Sequence, residues 1–356
     1  MKKLFFMTAV VGLALTSCSQ EELSVPNAEN NEITFALPVV GKNTRAVTEV
    51  GTNYGTGYTF GVWAKYYTDA ATSKAWSAGK FYIGTAGDNG VEAVYQDATY
   101  GWHLATPYYW PKNGNLSFIA YSPSTAAATV TNQGIQFTNY TVGADANVDL
   151  LFSEIARNKT KDDVPNTSNS PESYKGIELT FKHALSSVRF AVKTAGTYTS
   201  TTIKVKNINV LNAYSEADFN QGLADTDNAV TDLANACWSG YAKERNYAAF
   251  AGDITVTDAA KYVHSNDADP TANTTDLILL PQALVHTTPA NTVTVKVNYT
   301  IQSPSGNVLN QVTTLPLAGD WFRGNRYTYT VVFGLDEIYL DPTVDTWADV
   351  NSAPEI

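Results

Sequence analysis

Short strands with strict alternation constrain the fold of this chain most strongly. The stretch "TVTVKVNYTIQ", residues 292–302, places apolar side chains at every second position, and "RYTYTVVFG", residues 326–334, does the same. Successive side chains of a strand point to opposite faces, so each stretch predicts a strand with one apolar face. Helical periodicity is scarce along the chain, which favours an all-β fold of one or two β-sandwiches. The apolar faces are Val293, Val295, Val297, Tyr299 and Ile301, and Tyr327, Tyr329, Val331 and Phe333.

A third strand changes phase along its length. In "TTIKVKNINVL", Ile203 and Val205 share one parity, whereas Ile208 and Val210 share the other. One extra residue in a strand produces such a shift, so the sequence predicts a β-bulge between Val205 and Ile208.

Length and charge limit the classes of protein. The 356 residues suggest two domains of ordinary size, and a hydrophobic content of 44% is enough to form packed cores. The formal net charge of -11 excludes a general attraction for nucleic acid, which is itself polyanionic.

The domain boundary is predicted in a polar stretch without apolar periodicity. Residues 157–176 read "RNKTKDDVPNTSNSPESYKG" and contain two prolines. This composition is typical of a linker between domains 46–175 and 176–356. A long surface loop within one domain is the alternative.

The N-terminus has the features of an export signal. Lys2 and Lys3 precede an apolar run from Leu4 to Leu15, which is shorter than the roughly 20 residues that a membrane-spanning helix needs. The following "LTSC" resembles a bacterial lipobox, in which the thiol of the cysteine, here Cys18, receives diacylglycerol. Residues 1–18 are therefore predicted to be a lipoprotein signal peptide. An ordinary signal peptide that contains a cysteine is the alternative.

Catalytic and metal-binding motifs are absent from the sequence. The four histidines stand at no metal-ligand spacing, and no G-x-S-x-G motif occurs. The acidic stretch "LADTDNAVTD" lacks the glycine and the terminal glutamate of an EF-hand, so it indicates a solvated turn or an incidental Ca²⁺ site. The sequence predicts a protein that is not an enzyme and that has no cofactor and no metal site.

Aromatic residues are concentrated in the first half of the chain. "YGTGYTFGVWAKYY" and "GWHLATPYYWP" carry Trp63, Tyr108, Tyr109 and Trp110. If these side chains are exposed, they would form a platform that stacks on sugar rings; if they are buried, they fill a core. The first case defines an alternative function, a lipid-anchored surface glycan-binding protein or adhesin.

A one-faced strand precedes a loop that proteases would cut. "EITFALPVV", which we call the N-terminal segment (Glu32–Val40), is followed by the small, polar residues "GKNTRA". An arginine-specific protease would cut between Arg45 and Ala46; an incidental surface arginine is the alternative. The apolar parity of the segment is Ile33, Phe35, Leu37 and Val39.

A second one-faced segment lies near the C-terminus. "EIYLDPTVDTWADV", residues 337–350, alternates small or apolar residues with polar or aromatic ones. It could complete its own domain, or it could fill the space that the N-terminal segment leaves in another molecule, by β-strand addition. Burial of four or five such side chains, at about 1.5–3 kcal/mol each, yields on the order of 6–15 kcal/mol before ordering costs.

Several motifs, taken in order, resemble the fimbrillins of Bacteroidetes, which are subunits of the type V pilus. The resemblance extends from residue 15 to about residue 347. The motifs are "LTSC", "ITFALPVVGKNTRA", "PYYWPKNGNLSFIAYSP", "VDLLFSE", "LTFKHALSSVRF", "LLPQAL", "GDWFRGNRYTYTVVFG" and "VDTW".

The resemblance implies two tandem transthyretin-like β-sandwich domains and a precursor that is cut after Arg45. Residues 19–45 would be a propeptide whose strand leaves a groove when it is removed. A C-terminal donor strand from a neighbouring subunit, residues 338–350, would then fill that groove. His183 would be a hydrogen-bonded core or interface residue. The donor-strand residues would be Ile338, Leu340, Val344, Ala348 and Val350.

The implied partners are other fimbrial subunits, an arginine-specific protease and, in the precursor, lipid on Cys18. The implied location is the outer membrane and the fimbrium at the cell surface. Members of the family serve as stalk, tip or anchor subunits. The cleavable loop disfavours an anchor, and the sequence favours a stalk subunit, with a tip subunit as the alternative.

Overall fold

The structure, a computed structural model, describes most of the chain from Asn31 onward. The side chains of Val39, Asp97 and Thr346 are not described. The described residues are 31–36, 38–40, 54, 57–97, 101–163, 176–223, 237–263, 276–287, 291–334 and 337–346.

The first part of the described chain contains twelve strands and two single-turn 3-10 helices, Trp76–Ala78 and Lys161–Asp163. The strands are β1 (Thr34–Phe35), β2 (Val39–Val40), β3 (Phe60–Tyr67), β4 (Lys80–Ile83), β5 (Val91–Asp97), β6 (Gly101–Leu104), β7 (Asn115–Ser122), β8 (Thr129–Thr131), β9 (Gly134–Thr141), β10 (Leu151–Ser153), β11 (Ala156–Lys159) and β12 (Thr180–His183).

The second part contains nine described strands. They are β13 (Ser186–Thr194), β14 (Thr202–Asn220), β15 (Trp238–Thr255), β16 (Lys261–Tyr262), β17 (Leu277–Leu279), β18 (Thr294–Gln302), β19 (Val308–Pro316), β20 (Asn325–Phe333) and β21 (Ile338–Thr346). The described residues contain no α-helix, and none of their helices could span a membrane. The all-β prediction is confirmed.

The described strands form three sheets. A ten-stranded sheet has the order β1-β6-β5-β3-β7-β10-β12-β2, with β4 beside β3 and β11 beside β7. A five-stranded sheet has the order β16-β13-β20-β21, with β17 beside β13. A six-stranded sheet has the order β19-β18-β14-β9-β8, with β15 beside β14.

The predicted alternation holds in β18 and at the residue before it, where Val293, Val295 and Val297 are fully buried. In β20 the predicted apolar face is buried, but Arg326, Thr328 and Val332 on the opposite face are buried as well, so the prediction of a single buried face is wrong for this strand. The predicted bulge is also confirmed, because β14 shifts register between Val205 and Asn207 against both of its neighbours, β15 and β18.

Hydrophobic packing and strand pairing cross the predicted domain boundary. The strands β8 and β9 precede that boundary, yet they join the six-stranded sheet through the pairing of β9 with β14. Side chains from one face of β3 and β7, such as Trp63 and Ile119, belong to the same core cluster as the strands of the second part. The division at residues 175 and 176 stays a prediction.

The first residues of the polar stretch that was predicted to be the linker form a strand and a helical turn. Residues 156–159 form β11, which pairs with β7, and residues 161–163 form a helical turn. Its polar composition reflects a position at the surface of the sheet, where the described β11 side chains are exposed or half-buried. Residues 164–175 lie outside the described part of the chain.

Candidate functional site

The N-terminal segment is paired along one side with β6 and with the loop that follows it. Thr34 lies opposite His103 and Phe35 opposite Trp102, in antiparallel register. The Ile33 N–H donates to the carbonyl of Tyr108 at 2.8 Å. The segment therefore continues the ten-stranded sheet beyond β6.

The same segment is paired on its other side with the chain around β12. The Ile177 N–H donates to the Thr34 carbonyl at 2.8 Å, and the Ala36 N–H donates to the Ile177 carbonyl at 3.0 Å. Further along, β2 runs parallel to β12. Since β6 and β12 stand near opposite ends of the sheet order, the N-terminal segment joins the two ends and closes the sheet. We call the space that it fills, between β6 and residues 176–183, the groove.

Alternation places two large side chains of the segment in the core. Ile33 and Phe35 are fully buried, whereas Thr34 and Ala36, on the opposite parity, are half-buried. The ring of Phe35 meets the rings of Phe60 and Phe118 edge-on, at centroid distances of 5.5 and 6.0 Å. Full burial of two such side chains contributes about 1.5–3 kcal/mol each.

Close approach of backbone to backbone in the groove depends on a glycine. A Cβ atom built on Gly176 would lie 2.5 Å from the carbonyl carbon of Phe35 and 2.6 Å from the nitrogen of Ala36. Such distances are shorter than van der Waals contact, so only glycine lets the segment come this near. The atoms that exclude a side chain at position 176 belong to Phe35 and Ala36 of the N-terminal segment.

Tyr54 lines the groove beside the segment. Its ring stacks on Phe181 at 5.6 Å, and its hydroxyl donates to Ser122 Oγ at 2.9 Å. Burial raises the pKa of the Tyr54 hydroxyl well above its ordinary value, because the phenolate would lose its hydration. Tyr54 follows Arg45 in the chain and would stay with the body of the protein after cleavage there.

Polar contacts hold the first residues of the segment. Glu32 Oε1 lies 3.1 Å from His103 Nδ1, and both side chains are partly covered. The ammonium of Lys161 donates to the side-chain oxygen of Asn31. These contacts fix the register of the segment at the end where it enters the groove.

The C-terminal strand β21 has a different environment. It pairs antiparallel with β20 of the same chain along its whole length and forms the edge of the five-stranded sheet. Ile338 and Leu340 are half-buried against the core, and Pro342 and Val344 are exposed. The strand is therefore held by backbone pairing more than by burial of side chains.

The predicted site residues fall into three groups. Ile33 and Phe35 line the core as described above, and Ile338, Leu340 and Val344 lie on β21. For Val39, the structure gives only the backbone, which pairs with Thr180. The rest lie outside the described residues, and these are Cys18, Leu37, Arg45, Ala46, Ala348 and Val350.

Of the two interpretations of the aromatic residues, the structure supports core burial and contradicts the alternative of an exposed platform. Trp63 is fully buried, and its indole N–H donates to Asp88 Oδ1 at 2.8 Å. Trp110 is also buried, packed edge-on against Phe118, and Tyr108 is half-buried. Only Tyr109 of the four exposes its side chain to the solvent. The four residues fill cores and pair with the N-terminal segment, so they form no continuous stacking surface.

The described histidines are structural. His183 is buried, as the resemblance implied, with its Nδ1 at 2.7 Å from Asp149 Oδ2. His286 is buried between Glu244, at 2.8 Å, and the ring of Tyr214. Among the residues that the structure covers, no three His, Cys, Asp or Glu side chains are grouped to hold a metal ion.

Three residues of the groove escaped the sequence analysis. Gly176, Glu32 and His103 are all distant from one another in sequence, and their roles come from pairing across long loops. The only local signal was the position of Gly176 at the end of a polar stretch, where an ordinary turn is the simplest interpretation.

A family model described as fimbrillin-like matches residues 44–347 of this chain. No curated protein gives a significant sequence match.

Solved structures share the fold. A fimbrial protein from Bacteroides vulgatus superposes with a TM-score of 0.57 at 18% sequence identity, over 90% of this chain and 100% of that chain. A candidate cell adhesion protein from Bacteroides uniformis has a TM-score of 0.47 at 13% identity, over 91% of this chain and 100% of that one. The first of these supports the fold assignment; the second is too distant in structure to carry an argument.

Proposed function

The chain belongs to the fimbrillin-like family, and on that premise we propose that it is a stalk-type structural subunit of a pilus. In this proposal the chain is exported as a lipoprotein on Cys18, cut after Arg45 and polymerised by donor-strand exchange at the cell surface. A fimbrillin-like chain is a structural protein and not an enzyme. Its partners would be other fimbrial subunits and the protease that removes the N-terminal segment.

One observation carries the proposal. Ile33 and Phe35 of the N-terminal segment are fully buried in the core, yet the segment lies upstream of Arg45 and would be lost on cleavage there. Its loss would expose two unpaired strand edges, at β6 and near Ile177, together with the apolar surface that Ile33 and Phe35 cover. Unpaired edges beside exposed apolar surface bind another strand.

The head-to-tail relation explains why exchange would give a filament. The acceptor is the groove near the N-terminus, whereas the donor is a strand at the C-terminal edge of the five-stranded sheet. Two different surfaces that bind each other propagate rather than close into a dimer. Backbone pairing along a whole strand, together with buried side chains, gives dissociation slow enough for a non-covalent polymer.

The first test is the effect of the arginine on assembly. Arg45→Ala and Arg45→Lys are expressed in native cells, and sheared surface material is run on gels without boiling. We expect a ladder of polymers from the unaltered chain and monomer from Arg45→Ala. Arg45→Lys separates an arginine-specific protease, which leaves monomer, from a trypsin-like one, which restores the ladder. Polymers from Arg45→Ala would overturn the proposal.

A second candidate, the tip subunit of the same pilus, is favoured by the pairing of β21 with β20 of its own chain. A tip accepts a strand but does not have to donate one. Deletion of residues 338–356 distinguishes the two roles if the truncated chain still folds. A stalk subunit without its donor strand shortens or abolishes the fibre, whereas a tip subunit is still incorporated.

A further inference from the structure

The C-terminal strand repeats the pattern of the N-terminal segment. Glu32–Val40 reads "EITFALPVV", and Glu337–Asp345 reads "EIYLDPTVD". Both begin with Glu-Ile, both place apolar residues at alternate positions after the isoleucine, and both have valine at the eighth position. The two stretches therefore align without a gap.

The inward and outward faces also agree between the two segments. In the groove, Ile33 and Phe35 point inward, and Thr34 and Ala36 lie on the other face. In β21, Ile338 and Leu340 pack against the core, while Tyr339 and Asp341 are exposed. The same parity thus faces a core at the positions of Ile33 and Phe35 and at those of Ile338 and Leu340, whereas further along the N-terminal segment Pro38, of the opposite parity, is buried.

We propose that β21 of a second copy of this chain enters the groove in the same register as the segment that it replaces. Ile338 takes the place of Ile33, Leu340 that of Phe35, and Glu337 that of Glu32, whose carboxylate contacts His103. The inference rests on the proposed function and specifies how donor and acceptor align.

Electrostatics support this alignment. His103 lies 3.1 Å from the carboxylate of Glu32, and it would lose that carboxylate when the N-terminal segment leaves. Glu337 is exposed in its own chain, and the described contacts give it no ion pair there. The incoming strand therefore brings an equivalent carboxylate to the same place.

Backbone donors fit the same alignment. In the groove, the N–H of Ile33 donates a hydrogen bond to the carbonyl of Tyr108, and the N–H of Ala36 donates one to the carbonyl of Ile177. Their counterparts in the donor are Ile338 and Asp341, and both have an N–H group. A shift of one residue would place Pro342, which has no N–H, at the second of these positions.

Other registers are disfavoured by what they bury. A shift of one residue in one direction places Asp341 in the site of Phe35, where a carboxylate would be buried among aromatic rings. A shift of one residue in the other direction places the carboxylate of Glu337 in the buried site of Ile33. A shift of two residues in one direction places Asp336 in the site of Ile33. In the other direction it places Pro342 in the site of Phe35 and removes the glutamate from His103.

The test is a disulfide scan between copies. His103→Cys is combined with Tyr339→Cys, which the register places directly opposite, or with Asp341→Cys, which lies two residues further along. Fibres sheared from native cells are analysed on denaturing gels without reductant, and the linked peptides are identified by mass spectrometry. The matched control is His103→Cys with Thr34→Cys in an Arg45→Ala precursor, since Thr34 and His103 are already paired within one chain.

Each outcome bears on the register. We expect ladders of covalent multimers with the 103–339 pair, at least about tenfold more abundant than with the 103–341 pair, since a two-residue shift separates the cysteines beyond bonding distance. A dominant 103–341 link would overturn the register and leave strand exchange intact. Polymers without either link would overturn the proposed register. Loss of all polymers in chains that still fold and retain Arg45 would overturn the proposed function as well.

A second variant tests the carboxylate without cysteines. Glu337→Gln keeps the shape of the side chain and removes its charge. We expect about two- to fivefold faster dissociation of the polymer, the size that corresponds to the loss of a partly covered ion pair such as that of Glu32 with His103. Asp145→Asn, which removes an exposed carboxylate in the loop that follows β9, is the control and should leave the dissociation rate unchanged. Equal effects of the two variants would contradict the pairing with His103.

Discussion

The N-terminal segment and β21 have similar sequences but opposite environments. The first is paired on both sides, and its described inward side chains, Ile33 and Phe35, are fully buried. The second is paired on one side in the described chain, and Val344 exposes 56% of its side chain. The same pattern of alternation can therefore belong to a segment that completes a core or to one that lies loosely on an edge.

The difference suggests why the two strands could exchange roles. β21 contributes little side-chain burial to its own sheet, so its departure costs mainly the backbone pairing with β20, which pairing in the groove would replace. It also gains burial in a groove lined by Phe60, Phe118 and Trp102. The N-terminal segment is bound too well to leave by itself, so its removal would need a covalent cut. Cleavage would then make assembly irreversible in practice.

The largest expected contrast comes from truncation of the inward side chains. Phe35→Ala in the precursor should lower the free energy of unfolding by about 3–5 kcal/mol, because it leaves a cavity between two aromatic rings. Leu340→Ala, its counterpart in β21, should lower it by about 1–2 kcal/mol, since that side chain is half-buried. Denaturant unfolding of both purified variants measures the two values. Equal losses in the free energy of unfolding would show that Phe35 and Leu340 contribute equally to stability, which would contradict the difference in burial between the two segments.

A smaller effect is expected from a methyl group in the wall of the groove. Gly176→Ala should cost about 1–3 kcal/mol, because its Cβ would overlap the backbone of Phe35. The matched control is Gly196→Ala, where a Cβ would meet no atom within 4 Å.

Hydrogen exchange locates the effect of that methyl group. Faster exchange at the amides of Ile33 and Ala36, but not in β20, would assign the loss to the N-terminal segment. If Gly176→Ala matched its control, the close approach of the two backbones would be wrong.

The smallest contrast concerns the two glutamates. Glu32→Gln in the precursor should cost about 0.5–1 kcal/mol, because its ion pair with His103 is only partly covered. Glu337→Gln in the isolated, uncleaved chain should change stability by less than about 0.5 kcal/mol, because that side chain is exposed. Thermal melting of both variants at one pH checks the ranking, and a reversed ranking would contradict the assigned contacts.

Local sequence patterns predicted the strands well. Alternation identified the buried face of β18, one of the two buried faces of β20, the burial of Ile33 and Phe35 and the bulge in β14. These features depend on which face of a strand is apolar, and that information is local. The same reasoning located the two segments that the proposed assembly uses.

Pairing partners were beyond the reach of the sequence. Alternation does not predict which strands pair with each other. It does not show that β9 pairs with β14, that residues 108–110 pair with residues 31–33, or that β21 pairs with β20. The aromatic residues illustrate the same limit: Trp63 and Trp110 are buried by strands that are far away in sequence. Long-range contacts also give Gly176 its role.

The most direct test is the N-terminus of the protein in fibres sheared from native cells, determined by mass spectrometry of the intact chain and of its first peptide. The account predicts a chain that begins at Ala46, without the N-terminal segment and without lipid. A chain that begins at lipidated Cys18 would retain the segment in its groove and would contradict assembly by strand exchange.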